Sequence, residues 1–289
     1  MLLPRFEYHE PPGMKEACRL MGDLGEEARP LAGGTDLLVN MKKRLLSPGH
    51  LVSLGRIEGL RTMGTAGDGF RIGACLTAAE LAESADIRKD YPALADGASR
   101  LGSPLIRNLA TLAGNLVSAR PAADLPPSLM AYGAKIRLEG ASGERTLPLE
   151  DFFQGPGVTV AAPDEILESV LLEPRPERSG AAYLKMGVRR TLEISIVNVA
   201  AYLALEGDKI QTARVVLGAV APTPIRAPFA EKALTGESPS SELFAKAAGE
   251  AARDAKPIDD FRASAEYRRD MVSVLTRRAL ETALERARA

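Results

Sequence analysis

With 289 residues, 45 % of them apolar and 26 % charged, the chain has the composition of an ordinary globular protein of about two domains and not of a largely disordered one. Thirty-seven basic against thirty-eight acidic side chains leave a net charge of −1, with few aromatics and no tryptophan. That balance argues against nucleic-acid binding, which uses a basic face and stacking platforms.

Met14, Ala17, Cys18 and Met21 recur at helical spacing, so Met14 to Leu24 is expected to be an amphipathic helix with Cys18 buried. A short apolar segment then runs into Pro30-Leu31-Ala32-Gly33-Gly34-Thr35-Asp36-Leu37. A second helix, with Leu38, Met41 and Leu45 on one face, precedes a strand from Leu51 to Leu54. His50, in a Pro-Gly-His turn, reads as a surface turn residue. Thr77-Ala78-Ala79-Glu80 is a capping box, whose two side chains satisfy donors at the start of a short helix. Lys135 to Glu139 alternates at period two, as a half-buried strand does, and Gly140 to Gly143 reads as its hairpin connection.

Glu173 to Gly180, with prolines and charges but no periodicity, is the clearest break and reads as a linker or long loop. Two strands follow, Ile194 to Leu205 and Ile210 to Val220, joined by a turn at Glu206 to Lys209. The alanine-rich remainder is helical. In the final helix Tyr267, Met271, Val274 and Leu275 make the apolar stripe, and Arg268, Arg269, Arg277, Arg278, Arg286 and Arg288 belong to a solvated face. The fold class is α+β, with a larger N-terminal and a smaller C-terminal part. The longest apolar runs, such as Val215 to Ala221, are too short to span a bilayer, and MLLPRFEYHEPP shows no signal-peptide pattern, so a cytoplasmic chain is expected.

The catalytic inventory is thin. His9 and His50 are the two histidines, and neither has a second ligand at metal-binding spacing, so no metal site is expected. Cys18 and Cys75 can neither frame a disulfide-rich fold nor ligate an iron–sulfur cluster alone. No catalytic side chain is assigned. The chemistry is expected to belong to a cofactor that the protein binds and orients.

Two glycine turns point to what is bound. Gly33 and Gly34 let the backbone bring N–H groups close to an anion ahead of a helix. The pattern fits neither G-x-G-x-x-G nor the Walker loop, and alone it is read as a structural turn as readily as a binding one. The second turn, in Ile106-Arg107-Asn108-Leu109-Ala110-Thr111-Leu112-Ala113-Gly114-Asn115-Leu116, leads into Pro121-Ala122-Ala123-Asp124-Leu125-Pro126-Pro127. There Asp124 can accept from a ribose hydroxyl or a flavin N–H, or else cap the following helix.

Together, these two turns and the segment Tyr183-Leu184-Lys185-Met186-Gly187-Val188-Arg189-Arg190 resemble the FAD-binding, medium subunit of molybdenum hydroxylases, the xanthine dehydrogenase and carbon monoxide dehydrogenase type. The likeness runs over essentially the whole chain. It departs where the family often has two glycines and this chain has Ala113-Gly114, and where Glu193 replaces an aspartate.

The resemblance implies a two-part FAD-binding module of the vanillyl-alcohol oxidase (PCMH-type) superfamily over residues 1–176. A small domain of antiparallel sheet and helices would follow over 177–289. It implies that Pro30, Leu31, Ala32, Gly33, Gly34, Thr35, Asp36 and Leu37 hold the FAD pyrophosphate. Thr111, Leu112, Ala113, Gly114 and Asn115 make a second phosphate and flavin-side contact. Asp124 binds by side chain, Leu101 and Leu167 pack against the cofactor, and Lys185 reaches it from the domain junction. The implied partners are a small [2Fe–2S] subunit and a large molybdenum-cofactor subunit, with NAD, oxygen or a quinone as external acceptor. A self-sufficient FAD oxidase or reductase, and a cofactor-free assembly scaffold, are the alternatives.

Overall fold

The N-terminal part builds two unlike sheets, and a cleft opens between them. The computed structural model describes residues 2–67, 69–189 and 192–289. Strands β1 (Glu7–His9), β2 (Ala28–Leu31) and β3 (His50–Ser53) pair in parallel in the order β1-β3-β2. Parallel neighbours need crossover connections, which α1 (Met14–Leu24) and α2 (Leu37–Lys42) supply.

The second sheet is antiparallel. It contains β4 (Met63–Ala66), β5 (Gly69–Gly73), β6 (Lys135–Gly140), β7 (Gly143–Pro148) and β10 (Ile166–Leu172), in the order β4-β5-β10-β6-β7. A two-stranded ribbon, β8 (Phe153–Gly155) and β9 (Val158–Thr159), precedes β10. Six short helices lie between β5 and β6: α3 (Ala78–Glu83), α4 (Ala85–Asp90), α5 (Pro92–Arg100), α6 (Pro104–Arg107), α7 (Leu112–Val117) and α8 (Pro126–Ala131).

The C-terminal part is an antiparallel sheet, β11 (Ser179–Met186), β12 (Val197–Glu206), β13 (Lys209–Gly218) and β14 (Ile225–Arg226), with α9 (Pro228–Leu234), α10 (Ser241–Asp254) and α11 (Ala265–Arg288). Nine of the ten β12 residues are buried, because both faces of that strand are covered. Val197, Val199, Ala201, Leu203 and Leu205 face α11, against which α10 packs. Ala200, Tyr202 and Ala204 alternate with them and join the N-terminal core. The period of two thus places one strand in two cores and binds the two parts together.

Several local expectations hold. Helix α1 spans Met14–Leu24, and Cys18 is buried with its thiol donating to the Glu139 carbonyl 3.3 Å away. The capping box forms in both directions: Glu80 N donates to Thr77 Oγ1 at 3.2 Å, and Thr77 N donates to Glu80 Oε2 at 2.7 Å. The β6–β7 hairpin turns at Gly140–Gly143.

Other expectations are corrected. Helix α2 ends at Lys42, two residues before Arg44 takes a φ of 59°, and Leu45 is left 70 % exposed. Ser179 and Gly180 are not linker but the start of β11, where α11 lies so close that a Cβ on Gly180 would sit 2.2 Å from the Ala283 carbonyl. Strand β12 begins at Val197, leaving Ile194 exposed. His50 is not a turn residue but the first residue of β3. The apolar stripe of α11 is rotated from the expected one and runs Val272, Leu275, Ala279, Leu280, Ala283, Ala287.

Arg268 lies on that buried stripe, against the expectation of a solvated arginine face. Its guanidinium donates to the carbonyls of Ile196 (2.6 Å) and Ala219 (3.1 Å) and pairs with Asp260 at 2.8 Å, which is how a buried charge is tolerated. Arg286 likewise turns inward, to Asp96 Oδ2 and the Ala181 carbonyl, both at 2.7 Å. Arg190 of the sequence motif lies outside the described residues.

Candidate functional site

A cleft of about 1000 Å³ opens between the parallel sheet and the antiparallel sheet. Its floor is made by the two glycine turns, which touch. Gly33 lies against the second turn so closely that a Cβ there would be 1.8 Å from the Leu109 carbonyl oxygen. Only a residue without a side chain permits this approach. Gly34 follows with a φ of 69°, the left-handed region that favours glycine.

Among the described residues, no protein acceptor takes up the N–H groups of Gly33, Gly34, Thr35 or Asp36. The Asp36 side chain, at the start of α2, accepts no capping bond either. Gly33, Gly34 and Thr35 are half-buried and Asp36 is exposed; the first N–H groups of a helix have no partner within it, and four successive open ones in residues lining a cleft form a concave anion-binding surface.

In the second turn the polar groups are mostly committed. Thr111 Oγ1 accepts from Gly114 N at 3.1 Å and caps α7. The N–H groups of Leu112 and Ala113 donate to the carbonyls of Leu76 and Ala74 at 2.8 and 2.9 Å. Asn115 Oδ1 accepts from Leu125 N at 3.2 Å, which ties α7 to the start of α8.

Of the sequence-predicted residues, all of Pro30 to Leu37 line the cleft, as do Leu101, Thr111, Ala113, Gly114, Asn115 and Leu167. Leu112 does not; its side chain is fully buried beneath the turn. Asp124 and Lys185 also lie off the lining and pair with each other. Lys185 Nζ is 2.9 Å from both carboxylate oxygens of Asp124, and both side chains are 8 % exposed.

The Asp124 carboxylate is heavily solvated by protein. Tyr183 Oη donates to Oδ1 at 2.6 Å and Ser195 Oγ donates at 3.3 Å. Burial nevertheless pushes the Asp124 carboxyl above the usual carboxylate range, against the pull of Lys185 and these hydroxyls. Burial, with the Asp124 charge added, pushes the Tyr183 phenol well above its ordinary value. The alternative reading of Asp124 as a helix cap is excluded, since Leu125 occupies the cap of α8 and no side chain bonds there. Lys185 also donates to the Arg100 carbonyl at 3.2 Å, one residue before Leu101 on the cleft wall. The pair therefore stands directly behind that wall.

Sequence reasoning missed the opposite wall, formed by Gly157, Thr159, Ala161, Ala162 and Pro163 ahead of Leu167. The Gln154-Gly155-Pro156-Gly157 turn was the available signal. Gly157 N donates to the Ala119 carbonyl at 2.9 Å and so fastens the β8–β9 ribbon beside α7.

The family described as "FAD binding domain in molybdopterin dehydrogenase" matches residues 4–175, and "CO dehydrogenase flavoprotein C-terminal domain" matches 181–283. This chain belongs to the FAD-binding medium subunits of molybdenum hydroxylases. It is 35 % identical over 291 residues to the carbon monoxide dehydrogenase medium chain of Afipia carboxidovorans, covering 100 % of both chains. To the xanthine dehydrogenase FAD-binding subunit of Escherichia coli O157:H7 it is 31 % identical, covering 97 % of this chain and 96 % of that one. The solved carbon monoxide dehydrogenase of Hydrogenophaga pseudoflava superimposes with a TM-score of 0.95 at 34 % identity, over 99 % of each chain.

As a member of this family the chain is an oxidoreductase subunit whose cofactor is FAD. The cleft fits it: the open N–H groups suit a pyrophosphate, and the apolar walls suit the rings. No helix among the described residues is long and apolar enough to cross a membrane.

Proposed function

We propose that this subunit carries electrons within a molybdenum hydroxylase complex. It takes them from the iron–sulfur clusters of a small [2Fe–2S] subunit, which a large molybdenum-cofactor subunit reduces on oxidising the substrate. It passes them to an external acceptor such as NAD, oxygen or a quinone. FAD supplies the redox chemistry when bound, and the protein supplies binding and orientation.

The observation that carries this reading is the run of four open backbone N–H groups from Gly33 to Asp36, in residues that line the cleft. These donors hold the pyrophosphate. Leu101 and Leu167 pack against the flavin and exclude water, and Thr111, Ala113, Gly114 and Asn115 hold the second side of the cofactor. Asp124 and Lys185 are positioning groups that set the Arg100–Leu101 backbone. The division between the FAD-binding part and the C-terminal part falls at residue 176. The match to a medium chain over the whole length of both chains supports a subunit over a self-sufficient oxidase.

Anaerobic reduction tests the reading. The purified chain loaded with FAD should stay oxidised when mixed with purines or aldehydes, and should bleach once reduced partner subunits are added. Bleaching by such a substrate without partners would overturn it in favour of the self-sufficient oxidase.

A further inference from the structure

His9 and His50 are 41 residues apart in the chain and adjacent in space. Strands β1 and β3 pair in parallel with Glu7 opposite His50 and His9 opposite Val52. Residues opposite one another, and residues two apart on one strand, share a face of a sheet. Glu7, His9 and His50 therefore project to the same side. His9 Nε2 lies 3.1 Å from His50 Nδ1, and Glu7 Oε2 lies 3.5 Å from the same nitrogen. All three ligand atoms fall within 4.8 Å of one another.

A tetrahedral metal ion with bonds of about 2.0–2.1 Å sets its ligand atoms about 3.3 Å apart. The two distances bracket that separation. The Glu7 carboxylate, on a side chain 74 % exposed, completes the group from the solvent side. The neighbouring arginine, Arg56, is engaged elsewhere, with Glu10 at 3.3 Å. Both imidazoles are half-buried on the sheet, so their rings are held in place before any ligand arrives.

We infer that Glu7, His9 and His50 form a binding site for one divalent transition-metal ion of the zinc–copper class. Two imidazole nitrogens and one carboxylate oxygen select such ions over magnesium or calcium, which take oxygen ligands. Three protein ligands leave a fourth position for water. The site is separate from the FAD cleft, whose lining includes none of the three residues. It joins the three-residue strand β1 to the central strand β3 and so clamps the edge of the sheet whose other edge, β2, leads into the Gly33-Gly34 turn.

The test uses the tag-free, FAD-loaded chain, stripped with chelator and titrated with Zn²⁺ by calorimetry while melting is followed in parallel. One equivalent should bind and raise the melting temperature, because a ligand of the folded state stabilises it by mass action. His9→Gln and His50→Gln should each weaken binding about tenfold or more, and Glu7→Gln by less. With Cu²⁺ as probe, electron paramagnetic resonance should show two coupled nitrogens in the wild type and one in each histidine variant. The variants' melting without metal reports their folding independently. The site is refuted if the wild type binds no Zn²⁺ tighter than about 1 mM, or if both histidine variants keep wild-type affinity.

Discussion

Lys185 Nζ sits 2.9 Å from each carboxylate oxygen of Asp124, across the junction between the first C-terminal strand and the loop before α8. The two residues are 61 positions apart, and Tyr183, on the same face of β11 as Lys185, completes the contact with a 2.6 Å hydrogen bond. The C-terminal sheet thus holds a carboxylate of the FAD-binding part from behind the cleft wall.

Removing the cation should therefore destabilise the whole chain. Lys185→Ala leaves the Asp124 carboxylate buried without its counter-charge, and breaking such a pair costs about 3–5 kcal/mol. The folded carboxyl is already raised by burial, and losing Lys185 raises it further. An acid whose folded pKa is raised binds more protons folded than unfolded, so stability falls as pH rises through that pKa. The deficit should be full near neutrality and shrink in mild acid, where the carboxyl is closer to protonation. Urea unfolding of both proteins at the two pH values measures this; an equal deficit at both would show that the lysine acts through packing alone.

Gly33→Ala should abolish the close contact of the two turns. Its Cβ would stand 1.8 Å from the Leu109 carbonyl, so one backbone must withdraw and the four open N–H groups lose their alignment. Each charge-assisted bond is worth about 1.5–3 kcal/mol, so losing even one should lower FAD affinity tenfold or more. The variant should purify folded by circular dichroism but nearly colourless. Retention of wild-type flavin affinity would remove this turn from the site.

Arg268 and Asp260 give a second pH signature, at the acid end. Although burial works against it, the Arg262 backbone N–H and the Arg268 and Arg262 side chains hold the Asp260 carboxyl at about 2, below its ordinary 3.8. A depressed folded pKa contributes stability above the unfolded value that is lost as pH falls through the folded one. Between 3.8 and about 2 the wild type should lose this contribution, and Asp260→Asn should have lost it already. At neutral pH that variant should be less stable by about 3 kcal/mol, since Arg268 stays buried with its ion partner gone. Acid titration of thermal melting compares the two.

Cys18 and Cys75 should be inert in the folded chain. Burial pushes each thiol up to about 11, so little thiolate is present near neutrality, and both side chains are 2 % exposed or less. Maleimide labelling should proceed only in denaturant, at two sites. Rapid labelling of the native chain at Cys18 would mean that the packing of α1 on β6 opens readily.

The sequence alone determined what depends on neighbours in the chain. Helix α1, the Thr77–Glu80 capping box, the β6–β7 hairpin and the two glycine turns are local arrangements of backbone donors and apolar periodicity, and all were legible. The residues from Pro30 to Leu37 were singled out only through the family resemblance, because a glycine pair by itself reads as a structural turn as readily as a binding one. What packing decides was not legible. Nothing in the spacing of Arg268 shows that α11 rolls it inward to meet the carbonyls of Ile196 and Ala219. The Gln154-Gly155-Pro156-Gly157 turn marks a chain reversal, but only the packing shows that Gly157 to Pro163 close the far wall. His9 and His50 looked isolated until a parallel strand pairing set them 3.1 Å apart. Asp124 and Lys185 read as two separate contacts to a ligand, and the tertiary structure turned them toward each other. A buried charge takes the nearest counter-charge that the fold delivers, and only the three-dimensional path of the chain says which one that is.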